Sequence, residues 1–158
     1  MIRVLFVCLG NICRSPTAHG IFRTMVSDAG LNDCIKVDSA GTADWHPGRA
    51  PDPRTCSHAL KRNYDLSDLR ARQAVIEDFA RFDYILAMDS ENLANLQSIA
   101  PSDYAGYLGL MLDLGESSDT EVPDPYYEAE QCFERVLDLL EDASQALLTR
   151  IKTQLLEG

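Results

Sequence analysis

Five residues separate Cys8 from Arg14 in the stretch Val7-Cys8-Leu9-Gly10-Asn11-Ile12-Cys13-Arg14-Ser15-Pro16-Thr17. A cysteine is a nucleophile in its thiolate form, and an arginine presents a planar fork that binds two oxygens of a phosphate at once. A nucleophile set beneath an anion cradle implies transfer of a phosphoryl group to sulfur. That chemistry needs the two side chains and the loop between them to converge, which depends on what flanks them.

The flanking elements are readable. Ile2 to Val7 is an apolar run rich in β-branched residues and too short for a good helix, which predicts a buried parallel strand. Ser15-Pro16 predicts a helix start, with Ser15 at the N-cap and Pro16 at the first helical position. Ala18, Ile21, Phe22, Met25 and Val26 then recur at helical spacing, and Gly30 closes the helix. Cys8 therefore lies where a strand ends and Arg14 where a helix begins. A tight loop entering a helix N-terminus aims its amides at one point, so the N–H groups of Leu9, Gly10, Asn11, Ile12, Cys13 and Arg14 form the expected anion cradle. The same field, with Arg14 beside it, favours Cys8 as a thiolate.

Other readings of the cysteines are weaker. A cysteine at the end of a buried strand is commonly a small core hydrophobe. As metal ligands, Cys8 and Cys13 lack a second close Cys or His pair to complete a tetrahedral set. No Gly-Lys-Ser/Thr follows the loop, so it is not a Walker A sequence. Arg14, Ser15 and the helix start falling in register with Cys8 favour the anion site.

The 158 residues fit one domain, 1–158, with a full hydrophobic core, and 46% hydrophobic with 25% charged residues is the composition of a soluble globular protein. No apolar run is long enough to span a bilayer, and the first strand has no small-residue cleavage site behind it, so neither a membrane span nor a signal peptide is read. Five cysteines without framework spacing suggest a reducing compartment, and a cytoplasmic location is expected. A net charge of −11 argues against nucleic acid or an anionic membrane as partner. It does not exclude a phosphorylated substrate: beyond a Debye length of roughly 8 Å the acidic surface is screened, while Arg14 and the loop amides act at contact.

Farther along, Ile35 to Asp38 predicts a second strand ending in Ser39-Ala40-Gly41-Thr42, and residues 43–53 predict a surface loop carrying Trp45, His46, Gly48 and Arg49. Such a loop after a strand C-terminus is where open α/β sheets bind ligands, so Trp45 is either a site wall or a core residue. Asp52-Pro53 opens a helix to about Asn63; Arg70 and Arg72 read as a basic rim or, more simply, a solvated face; a short helix covers Ile76 to Ala80. Phe82 to Met88 is the third strand, Asp89-Ser90 opens a helix through Leu93, Leu96 and Ile99, and Tyr107 to Leu112 is the fourth strand, interrupted by Gly109. Prolines on both sides hold Asp124 in a restricted backbone beside Tyr126 and Tyr127. Asp124 reads equally as a general acid over the anion site or as a turn or N-cap residue. The last helix runs from about Ala129 to Leu155, with a core stripe of Phe133, Val136, Leu137, Leu140, Leu147, Leu148 and Ile151 and a structural Cys132 beside it. Strands alternating with helices imply a three-layer, doubly wound, flavodoxin-like sheet of four parallel strands flanked by helices.

Essentially the whole chain resembles the low-molecular-weight protein tyrosine phosphatases. The loop from Val7 to Pro16 looks like that family's phosphate loop. Ser39-Ala40-Gly41-Thr42, Asp44-Trp45, Pro51-Asp52-Pro53-Arg54, Phe82 to Asp89 and Asp124-Pro125-Tyr126-Tyr127 follow in the family's order. The resemblance implies that Cys8 takes the phosphoryl group, Arg14 clamps its oxygens, and Asp124 protonates the leaving phenolate and then activates water. It implies that Ser15 hydrogen-bonds the thiolate, that Asn11 and Ser39 pair to hold the loop in shape, and that Trp45, Tyr126 and Tyr127 wall a slot for a phenyl ring. No cofactor and no metal are implied, because loop amides and Arg14 supply the electrostatics. Cys13 is implied as redox partner, forming a disulfide with an oxidised Cys8. The implied partner is a phosphotyrosine-bearing protein, a tyrosine kinase among the candidates, and Tyr126 and Tyr127 resemble a phosphorylatable pair; a monomer or weak dimer is expected.

One position departs from the family: Leu69 stands where many eukaryotic relatives carry a His, so any partner of that His must be bonded elsewhere. Of the rival functions, an arsenate reductase shares the fold and the Cys-x5-Arg loop but needs further redox cysteines, and Cys34, Cys56 and Cys132 are scattered. A phosphate-binding module would lack Cys8 or Asp124, and a sugar-phosphotransfer component using a phosphocysteine would lack Arg14 and the acid.

Overall fold

Alternation along Ile2–Cys8 decides the layering. In the computed structural model, which describes residues 1–126 and 130–157, this segment is strand β1. Val4, Phe6 and Cys8 face one core while Leu5 and Val7 face another, as a period of two requires of a strand buried on both sides. Around it the chain runs α1 (Arg14–Asp28), β2 (Ile35–Gly41), α2 (Pro53–Leu60), α3 (Asp78–Arg81), β3 (Tyr84–Ala87), α4 (Ser90–Ile99), β4 (Tyr107–Leu110), a 3-10 turn (Met111–Leu114) and α5 (Glu130–Glu157).

The four strands are parallel in the order β2-β1-β3-β4. Helices α1 and α5 cover the face of Val4, Phe6, Tyr84 and Leu86, while Phe79 of α3 and Leu96 of α4 cover the face of Leu5, Val7, Ile85 and Ala87. This is the three-layer architecture expected from the sequence. Chain order departs to opposite sides of β1, first to β2 and then to β3, so the C-terminal end of β1 is a topological switch point. Cys8 occupies that end, in register with Gly41.

Helix α1 closes as expected. Gly30 has φ +70°, its N–H reaches the carbonyl of Ser27 and that of Leu31 reaches Val26, the Schellman arrangement in which glycine carries no Cβ penalty. Its start differs from expectation: the helix begins at Arg14, and Ser15 is not the cap, because the Ser15 hydroxyl is bonded within the loop instead. Helix α2 begins as read, with the Asp52 carboxylate accepting from the N–H groups of Arg54 and Thr55, but stops at Leu60, where Asn63 turns left-handed (φ 69°). The α5 stripe is buried throughout, and Cys132 is half-buried at its edge.

Candidate active site

The loop after β1 is shaped by Asn11, which adopts φ +57°, a conformation its short polar side chain tolerates. The side chain turns away from the cradle. Its Oδ1 accepts from the Arg72 N–H (3.0 Å) and its Nδ2 donates to Ser15 Oγ (2.7 Å). The Asn11 N–H itself points inward, 3.3 Å from Cys8 Sγ. On the other side, Gly41 of β2 leaves room for the loop to cross: a Cβ there would lie 2.6 Å from the Leu9 carbonyl oxygen.

Ser15 Oγ is 3.0 Å from Cys8 Sγ and 3.2 Å from the Ala40 carbonyl. Its single proton serves one of them at a time. Against a thiolate it turns to sulfur; against a thiol it turns to Ala40 while the S–H donates to Oγ. Ser15 therefore suits the role implied for it, with Asn11 fixing its oxygen.

Arg14 is 2% exposed and its guanidinium is held from one side. Nη1 donates to Asp89 Oδ2 (2.7 Å) and to the Val122 carbonyl (3.1 Å), and Nη2 lies 3.5 Å from Asp124 Oδ2. Nε is buried with no partner among the described residues. A buried donor left open in this way is a demand for an acceptor, of which a phosphate oxygen is one that fits an arginine fork. Burial disfavours the guanidinium, yet Cys8, Asp89 and Asp124 more than offset it and the pKa of Arg14 rises further. The role of Asp89 is not visible in the sequence, where it reads as a helix cap. It does cap α4, through Oδ1 to the Asn92 N–H (2.8 Å), and spends its second oxygen on Arg14.

These groups open onto a pocket of about 320 Å³ whose floor is the loop from Cys8 to Arg14 and whose walls are Trp45, His46 and Tyr126. Trp45 is 65% exposed, so of its two readings the core one falls. His46 stands over Gly10 and is a wall that the sequence reading did not single out as a site residue. Asp124 sits at the rim, where it makes a turn contact and also faces the loop's arginine. Oδ1 accepts from the Tyr126 N–H (3.1 Å) in a turn, while Oδ2 faces Arg14. Tyr127 lies outside the described residues.

Two other expectations change. Ser39 does not pair with Asn11: its hydroxyl faces His19 Nδ1 (3.1 Å), and burial with the nearby Arg23 lowers the pKa of His19 to about 4. Leu69 packs in the core, and Asn11 is held by Ser15 and Arg72. Arg72 is no solvated face: its guanidinium joins Asp38 (3.0 Å) to the buried Asp78 (3.1 Å), which fixes the backbone N–H that holds Asn11. Cys13 is buried beside the Thr55 hydroxyl, and burial pushes its pKa up to about 12. Among the described residues, no three His, Cys, Asp or Glu side chains converge to hold a metal ion.

Residues 3–156 match the family described as low molecular weight phosphotyrosine protein phosphatase. The chain belongs to that family. It is 47% identical over 155 residues to a putative low-molecular-weight protein-tyrosine-phosphatase of Synechocystis, covering 97% of this chain and 98% of that one. The low-molecular-weight protein-tyrosine-phosphatase YfkJ of Bacillus subtilis is 43% identical, with 98% of each chain covered. In three dimensions the chain superimposes on a protein tyrosine phosphatase from Entamoeba histolytica with a TM-score of 0.93 at 39% identity, covering 98% of this chain and 99% of that one. YfkJ superimposes with a TM-score of 0.91 at 42% identity, covering 98% and 96%. The family member described here is a phosphoric monoester hydrolase, and the arsenate reductase alternative is not favoured.

Proposed function

We propose that this protein tyrosine phosphatase works through a phosphocysteine formed on Cys8. The Cys8 thiolate attacks phosphorus as the bond to the leaving oxygen breaks, and Asp124 gives that oxygen its proton. Asp124, now a carboxylate, takes a proton from water, which attacks phosphorus, breaks the S–P bond and releases inorganic phosphate. The amides of Leu9, Gly10, Asn11, Ile12, Cys13 and Arg14, with Nε and Nη2 of Arg14, hold the phosphoryl oxygens. Ser15 steadies the sulfur as it becomes a thiolate again when the S–P bond breaks. The open, buried Nε of Arg14, on a side chain that lines the same pocket as Cys8 and its loop, is the observation that supports this reading most strongly. No metal is required, since the positive charge is built into the chain.

The substrate is a phosphotyrosine side chain in a protein, a tyrosine kinase among the candidates. Trp45, Tyr126 and, from the resemblance, Tyr127 accept its ring, and the depth this gives the slot favours it over the shorter phosphoserine. Residues 1–158 act as one domain, as a monomer or weak dimer, in the cytoplasm. No disulfide joins the described cysteines, which suits a reducing compartment, and no described helix is long and apolar enough to cross a membrane. Under peroxide, Cys8 is oxidised to a sulfenic acid; the Cys13 thiol then displaces water to give a Cys8–Cys13 disulfide. Ser39 supports the site at one remove, by holding His19 on α1.

Hydrolysis of p-nitrophenyl phosphate without added metal tests the reading. Wild type should turn over, Cys8→Ser should be inactive, and Asp124→Ala should lose about 10²–10⁴-fold in kcat, because hydrolysis of the phosphocysteine needs its carboxylate to activate water. A wild type that is inert here but consumes arsenate with a thiol donor would overturn it.

A further inference from the structure

The N-terminus of α2 touches both loops that carry the chemistry, and nothing in the catalytic cycle above uses it. The Asp52 N–H donates to the carbonyl of Ile12 in the phosphate loop (2.8 Å). The Asp52 carboxylate, 8% exposed, receives Nε and Nη2 of Arg54, each at 3.3 Å. Arg54 Nη2 also donates to the Tyr126 carbonyl at 2.6 Å, and its guanidinium carbon lies 5.8 Å from the Tyr126 ring centre and 5.1 Å from that of Phe133. The Tyr126 N–H in turn holds Asp124 Oδ1. A continuous set of contacts thus runs from the cradle under Cys8, through Asp52 and Arg54, to the carboxylate at the rim.

We propose that Arg54 is a positioning residue that sets Asp124 at the height of the leaving oxygen by fixing the Tyr126 carbonyl to the α2 N-terminus. Asp124 is exposed and lies in a segment joined to α5, so it needs an external brace to keep one geometry relative to sulfur. Acid catalysis is sensitive to such placement, because the proton must pass along a hydrogen bond of normal length as the ester bond breaks. Arginine suits the position: its fork engages a carboxylate and a carbonyl together while its plane lies over aromatic rings, which lysine does not reproduce. The inference rests on Asp124 being the acid.

The test is the dependence of kcat/KM on the leaving group, from p-nitrophenyl phosphate, which scarcely needs an acid, to phenyl phosphate, which does. Arg54→Met removes the hydrogen bonds, keeps apolar contact with Phe133 and leaves the α2 cap intact, since Asp52 accepts from the backbone N–H groups of residues 54 and 55. The expected result is a loss of about threefold with p-nitrophenyl phosphate and about tenfold or more with phenyl phosphate, part of the way to Asp124→Ala, with Arg54→Lys in between. An equal loss with both substrates would make Arg54 a prop of the fold and overturn the proposal. If Asp124→Ala itself shows no such dependence, the acid assignment fails first and the role of Arg54 falls with it.

Discussion

Cys8 and Cys13 are both buried and only five positions apart, yet their surroundings give them different chemistry. Cys8 has a hydroxyl at 3.0 Å, a backbone N–H at 3.3 Å and a guanidinium whose charge it shares with Asp89 and Asp124. Cys13 has the Thr55 hydroxyl against a dominant burial cost, and with its pKa near 12 it stays a thiol at neutral pH. It does not compete with Cys8 for phosphorus, and in the proposed oxidation it serves as the thiol that captures Cys8. Sustained peroxide treatment of wild type should therefore remove activity that a dithiol restores, whereas in Cys13→Ser the sulfenic acid on Cys8, with no neighbouring thiol to capture it, is oxidised again by peroxide to a sulfinic acid and that activity does not return. Recovery of Cys13→Ser to the wild-type extent would remove Cys13 from that role.

At the scale of elements, the site is a meeting of termini: the end of β1, the starts of α1, α2 and α4, and the end of β2. His19 shows what holds two of them together. It stands on α1, bonds Ser39 on β2, and faces Arg23, Asp38 and Asp68. Burial and Arg23 lower its pKa to about 4 against an ordinary value near 6.5, so between those limits the unfolded chain binds a proton that the folded chain refuses. This contribution is complete above about pH 6.5, is lost as pH falls toward 4, and amounts to up to about 3 kcal/mol. Denaturant unfolding between about pH 7 and about pH 4.5 should show a shallower fall for His19→Asn, which keeps a partner for Ser39 without titrating. The same fall in both proteins would contradict the account. The sequence shows α1, β2 and their caps well, because helix stops such as Gly30 and caps such as Asp52 act within a few residues of themselves. It misplaces Ser15, whose hydroxyl has both a cap and a thiol within reach. It also misses Arg72, Asp89 and Arg54 as working residues, because Asp38, Arg14 and Tyr126, which give them their tasks, are distant in the chain.

For the whole molecule, the order β2-β1-β3-β4 puts β1, with Cys8 at its C-terminal end, beside the switch point, so topology and chemistry coincide. The architecture was legible because alternation and segment length speak for each strand separately. The pocket walls were only partly so, since Trp45 in a long loop is equally consistent with core or rim until the loop is placed. A net charge of −11 leaves the cradle unaffected, since Arg14 and the amides act at contact. The central claim is a covalent bond between sulfur and phosphorus. Its most direct test is acid quench of Asp124→Ala during turnover of p-nitrophenyl phosphate, followed by mass analysis of the peptide that carries Cys8. The account predicts a mass gain of one phosphoryl group on Cys8, absent from Cys8→Ser. Turnover with no phosphopeptide, or with the phosphoryl group on another residue, would contradict it.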